Sequence, residues 1–336
     1  MSFGVSLLAK SLPPAPMSAP ERPYGDTWAN NLLDSYPDIR RLADGSVYHT
    51  EEATATISES WSERLYGRKH IEFDRCLMTL KCLNLVVTGD EQSYHYLVGG
   101  QPEAVKLLHQ NFLYLHKKAL SIIENTPDIS ADDMRRLLKT ALVLGDMGKT
   151  EDARLQTGIP VSAIPDHDDF IEHVMKKNPQ IFESYQQLPG PAQAFLIEAM
   201  SEIPVHLDHL FHLEGGIEML SRLEDSPCFH QKPHVWNFYF LIHMCDVMGA
   251  LGHVTTAYSK TFTDHQFTTY MMIEKACLLL NNNCSSFDAL QHLITNKASQ
   301  LGLDSTTPKG RVLTRIAAMV RMFSKKEGNQ LLTAMN

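Results

Sequence analysis

The sequence predicts an all-α fold, arranged as one large helical bundle-like domain. Apolar residues recur at steps of three and four through most of the chain, while the alternation of a half-buried strand is nearly absent. Val86-Val87 and Ile159-Pro160-Val161 are too short to propose a sheet. No repeat of fixed period suggests a solenoid, and no Ser/Gly linker splits the chain, so residues 24–336 read as one domain.

The elements follow in order. Pro and Ser dominate residues 1–23, which read as a flexible leader; no basic segment precedes their short apolar run, so they make a poor secretory signal. His70 to Val87 reads as helix. From Pro102 to Asn125 one stripe runs through Val105, Leu108, Phe112, Leu115, Ala119 and Ile122. Asp132 and Asp133 suit a helix start, and Met134, Leu137, Leu138, Ala141 and Leu144 carry that helix to Gly145-Asp146. Gly148, Gly158, Pro160 and Pro165 then mark an irregular connection. Further helices are predicted over Phe170–Asn178, Ala192–Ile203, Leu207–Leu223, Val235–Leu251, Phe267–Leu280, Ser286–Gln300 and Gly310–Phe323.

With 336 residues, 43% of them hydrophobic, the chain has enough apolar mass for a sizeable core. A net charge of −9 and the lack of a long basic run argue against binding duplex nucleic acid. Lys309, Arg311, Arg315, Arg321, Lys325 and Lys326 cluster near the C-terminus and read as a solvated helix face. No run of about 18 apolar residues suggests a membrane span, so no membrane partner is expected. Six cysteines without a CxxC pair suit free thiols in a reducing compartment, and a cytoplasmic protein is expected.

Sixteen histidines lie in the chain, several beside carboxylates, and neutral imidazole with ionised carboxylate is the donor set of a divalent metal site. Four groups stand out. Asp146 ends an apolar helix and meets Gly148-Lys149, whose lysine suits an anionic group; a capped helix end explains the same residues. Asp166-His167-Asp168-Asp169 precedes a helix: capping explains the aspartates but not the histidine, and His167 or Asp168 is a candidate ligand. His206, His209 and His212, if helical, span an arc of about 120°. His243 and Asp246 share one face of an apolar helix with Tyr239 and Ala250, where a charge needs a partner or a metal. Walker-type loops, GxSxG, GxGxxG and HExxH are missing.

Together these groups resemble the HD-domain superfamily of helical metallohydrolases over the stretch from about His116 to Asp246, which places a metal-site core at about residues 101–255. In that family a histidine on one helix is followed by an adjacent His-Asp in an HDxGK turn, and a later helix adds an aspartate. Here His116, Gly145-Asp146-Met147-Gly148-Lys149 and Asp246 take those places, with Gly145 where the family's second histidine stands. The later histidines also resemble those of cyclic-nucleotide phosphodiesterases and of the diiron oxygenase that cleaves myo-inositol. The resemblance implies one or two divalent ions (Mn, Fe, Mg or Zn) held by His116, Asp146, His167, His212, His243 and Asp246. It implies Lys149 neutralising charge on a small phosphoester and Asp168 taking a proton from water. A metal-dependent phosphohydrolase is thus the first expectation. A diiron oxygenase on the same scaffold, and a non-catalytic adaptor or pseudoenzyme supported by Gly145, are the alternatives.

Overall fold

The computed structural model describes residues 24–43 and 60–335; the predicted leader over 1–23 lies outside them. Among the described residues the chain is all helical, with no β-strand, and no helix is long and apolar enough to cross a membrane.

The N-terminal part comprises α1 (Asp26–Ser35), α2 (Trp61–Tyr66), α3 (Ile71–Thr88) and α4 (Glu91–Val98). Ser60 accepts from the Glu63 amide while the Glu63 carboxylate accepts from Ser60 N–H, a reciprocal cap that starts α2. Gly67 and Gly89 end α2 and α3 in the left-handed region, where a side chain is disfavoured. Next come α5 (His109–Asn125), α6 (Ala131–Gly145), α7 (Glu151–Thr157) and α8 (His167–Lys177). Ser130, Thr150 and Asp166 cap the last three. Short helices α9 (Glu183–Gln186), α11 (Leu207–Phe211), α12 (Gly216–Glu224) and α13 (Pro227–Gln231) are set around α10 (Gly190–Ser201). The chain finishes with α14 (Pro233–Gly249), α15 (Asp264–Leu279), α16 (Ser286–Leu301), α17 (Pro308–Met319) and α18 (Lys325–Ala334).

The most extensive helix pair is α3 on α14. Val235, Trp236, Phe238, Phe240, Leu241, Met244 and Met248 point around most of α14, as suits a helix enclosed by others. Glycine sets how close the pair comes. A Cβ on Gly249 would lie 1.9 Å from Thr79 Oγ1, and one on Gly252 would lie 2.5 Å from the Asp74 carbonyl oxygen. A smaller apolar cluster of Ala298, Leu301, Leu303, Leu313 and Ala317 holds the C-terminal helices together.

Two expected helices differ. Residues 102–108 form turns, and α5 starts only at His109. The expected Leu207–Leu223 helix is two helices, because Leu213 and Gly216 take φ of +56° and +61° and break it. His206 is therefore an extended cap and His212 the opposite cap of a five-residue helix, so no long arc carries the three histidines.

Candidate functional site

Charged side chains from α3, α8, α14 and the turn after α6 meet at one place. Gln, Ser or apolar residues would be the ordinary filling there; instead Glu72 and Arg75 of α3 face Asp146 and Lys149. Arg75 Nη1 donates to Glu72 Oε1 and Oε2 at 3.2 and 3.1 Å. Lys149 Nζ donates to Asp146 and lies 3.8 Å from Glu72 Oε2. Asp246 of α14 interacts electrostatically with Asp146, Arg75, His243 and Lys149. Beneath them burial pushes the Cys76 thiol far up, reinforced by Asp146, Asp246 and Glu72.

Local structure explains the convergence. Asp146 is the C-cap of α6, and the chain turns at once through Met147–Lys149, which returns the lysine to the carboxylate three residues back. Gly148 lets α8 approach: a Cβ there would lie 2.4 Å from the His167 carbonyl oxygen. His167 thereby comes within electrostatic reach of Asp146, and Asp168 within reach of Lys149 and Asp146. Asp166, by contrast, is a cap, its Oδ1 accepting from the Asp168 and Asp169 amides at 2.8 and 3.1 Å.

The carboxyls diverge in acidity. Burial, and after it the negative charge of Asp146, raises Asp246 to about 6 against the opposing pull of Arg75, His243 and Lys149. Burial also acts to raise Asp146, but Lys149 and Arg75 outweigh it and hold that carboxyl below its ordinary range. Glu72 is raised, first by burial and then by Asp146. Three carboxyls thus share two fixed cations, and the ionised form is disfavoured at Glu72 and Asp246 while it is favoured at Asp146.

A second group adjoins the first. Tyr270 O–H donates to Asp208 Oδ1 at 3.2 Å, while His243 Nε2 lies 3.1 Å from Tyr270 Oη and 3.4 Å from Asp208 Oδ1. Asp168 and Asp208 keep 52% and 66% of their side-chain surface open, yet desolvation by surrounding protein is the largest influence on each. Both side chains are thus reached by solvent while protein crowds them. Tyr239 lies between these two carboxylates electrostatically and donates its O–H to the Val205 carbonyl. Two surface grooves, of about 810 Å³ along α18 and about 480 Å³ between α8, α10 and α13, lie elsewhere and hold none of these residues.

The structure thus gathers Asp146, Lys149, His167, Asp168 and Asp246, with His243 turned to Asp208 and Tyr270 one helical turn away. His116 is elsewhere. Its Nδ1 lies 2.9 Å from the Val86 carbonyl oxygen and its ring packs on Gly89, at the far end of α3 from Glu72. At 1.5 Å per residue that is about 20 Å from the cluster, so His116 does not join it. His212 also stands apart from Asp146, near Asp208, Glu214 and Arg321, with its Nδ1 enclosed and without a hydrogen bond.

The donor set does not fit the metal centre that the HD resemblance implies. Asp146 is engaged by a lysine, His116 is remote, and Gly145 offers no imidazole although a Cβ there would meet nothing within 4 Å. Among the described residues no three His, Cys, Asp or Glu side chains come together as a metal ion requires. Sequence reasoning missed Glu72 and Arg75, whose signal was an opposite-charge pair three apart in the first turns of helix 71–88, where Asp74 and Lys81 are the other charged residues. It also missed the pairing of Asp208 with Tyr270, 62 residues apart, which no local pattern encodes.

The profile of a family of unknown function, DUF6829, matches residues 33–336. The chain belongs to that family. The DUF6829 match spans every residue of the cluster and of the adjoining Asp208, His243 and Tyr270 group, so both lie in the family's region of the chain. No curated protein and no solved structure matches this DUF6829 chain.

Proposed function

We propose that this chain is a non-catalytic helical protein, a pseudoenzyme-like scaffold in which a buried ionic cluster takes the place of a reaction centre. One observation carries the reading. The positive charge among Glu72, Asp146 and Asp246 is supplied by the chain's own Arg75 and Lys149. A buried carboxylate with a hydrogen-bonded cation is a closed unit, and displacing Lys149 with a divalent ion leaves an ammonium to be solvated elsewhere. The cluster's role is to fix α3, α6, α8 and α14 in one arrangement. Five of the six cysteines are buried as free thiols, which supports a reducing, cytoplasmic setting.

The test is elemental analysis of the purified protein, with melting curves in chelator and in added Mn, Fe, Mg or Zn. The reading expects metal well below one ion per chain, and a melting temperature that none of these additions moves. Stoichiometric metal that disappears in Asp246→Asn, together with phosphate release from a phosphoester, overturns it. The phosphohydrolase is kept as a second reading because Lys149 and His167 both act electrostatically on Asp168, whose side chain keeps 52% of its surface open to solvent. Activity that needs Lys149 and Asp168 is its signature.

A further inference from the structure

The C-terminal helices carry a surface that the buried cluster does not explain. Between Ser305 and Lys326 the chain holds six cations and no acidic residue, in a protein of net charge −9. These are Lys309, Arg311, Arg315, Arg321, Lys325 and Lys326. Arg311 donates to the Ser305 and Thr306 carbonyls, and Arg315 to that of Leu213, so neither cation is neutralised by a carboxylate there.

The apolar residues among them are open to solvent. Val312, Met319 and Val320 are 56%, 54% and 58% exposed. At about 100° per residue, Val312, Arg315 and Met319 fall within about 60° of one another on α17. Gly310, Leu313, Thr314, Ala317 and Ala318 form the opposite, buried face. The result is an exposed ridge on α17, with Val312 and Met319 open to solvent and Arg311 and Arg315 beside them, followed along the chain by exposed Val320 and by Arg321, Lys325 and Lys326.

We propose that this ridge docks on an anionic phospholipid surface, lying on it without crossing it. The charge complementarity is with a layer of lipid phosphates and carboxylates, and Val312, Met319 and Val320 enter the headgroup–acyl boundary. This departs from the expectation of no membrane partner and of a solvated helix face, which rested on the lack of an apolar run long enough to span. Among exposed residues of the ridge there is no aromatic ring on which bases could stack, which disfavours single-stranded nucleic acid. The proposal is independent of the reading of the buried cluster, because it involves none of those residues.

The experiment is vesicle flotation with the full chain. Vesicles of phosphatidylcholine mixed with phosphatidylserine retain the protein, vesicles of phosphatidylcholine alone do not, and raised salt releases it. Replacing two ridge cations, Arg315→Gln with Lys326→Gln, weakens binding about tenfold or more. Val312→Ser with Met319→Ser also weakens it. The control Lys177→Gln with Lys260→Gln leaves it unchanged. Should the Arg315 variant melt early, Lys325→Gln with Lys326→Gln replaces it. Failure of the wild type to float with phosphatidylserine overturns the proposal. So does an equal loss in the control, or binding to polyglutamate or a single-stranded oligonucleotide in preference to the vesicles.

Discussion

Replacing Asp246 by Asn removes a charge that the native state holds at a disadvantage. Burial, then the neighbouring Asp146, raises this carboxyl from 3.8 to about 6. In the unfolded chain it returns to its ordinary value. A shift of about two units corresponds to about 3 kcal/mol, an upper limit because the flanking cations relax. The sign follows from which state loses its proton first. Below about pH 4 the group is protonated in both states and has no effect. As the pH rises from there, the unfolded chain ionises first, so stability is lost progressively until the native carboxyl also ionises near pH 6. Above that the loss is constant. Asn mimics the protonated carboxyl and escapes the loss. The assay is urea unfolding of wild type and Asp246→Asn at pH 4 and pH 7. The stability of the variant relative to wild type should rise by about 2–3 kcal/mol between those pH values. Any packing change on substitution shifts both values together and leaves their difference. A relative stability that is the same at both pH values would refute the placement of Asp246 beside Asp146.

Three other outcomes follow from the same geometry. Lys149→Met strands Asp146 in a buried site and should lower stability by about 3 kcal/mol at neutral pH, with much of it restored on adding Asp146→Leu; denaturant midpoints of the single and double variants measure this. Gly148→Ala forces a Cβ against the His167 backbone, so a loss of about 1–3 kcal/mol is expected, with α8 exchanging its amide hydrogens faster. Gly145→Ala, three residues earlier and facing open space at the end of α6, should instead gain about 0.5–1 kcal/mol, read from its melting temperature.

Part of the candidate site was legible in the sequence because its signals were local. Gly145-Asp146-Met147-Gly148-Lys149 marks a helix end with a returning lysine, and that turn is present. The face shared by His243 and Asp246 follows from helical spacing alone. His116 misled because periodicity says which face of a helix a residue occupies but not which end of a neighbour it meets. The packing of α5 on α3 put it at Gly89, not at Glu72. The His206–His212 arc failed for another reason: Leu213 and Gly216 adopt left-handed backbone, which the apolar pattern across them conceals.

The sequence by itself determined that this protein is helical and about where its longer helices run, since propensity, capping side chains and apolar spacing act within a few residues. Only the tertiary structure decided which charges share a space. Arg75 and Lys149 each bond a carboxylate three residues away, but packing brings the two pairs together, with Lys149 Nζ 3.8 Å from Glu72, and Gly148, Gly249 and Gly252 let the surrounding backbones approach closely. A buried charge must find its partner within a few ångströms in the packed molecule, and separation along the chain does not encode that distance.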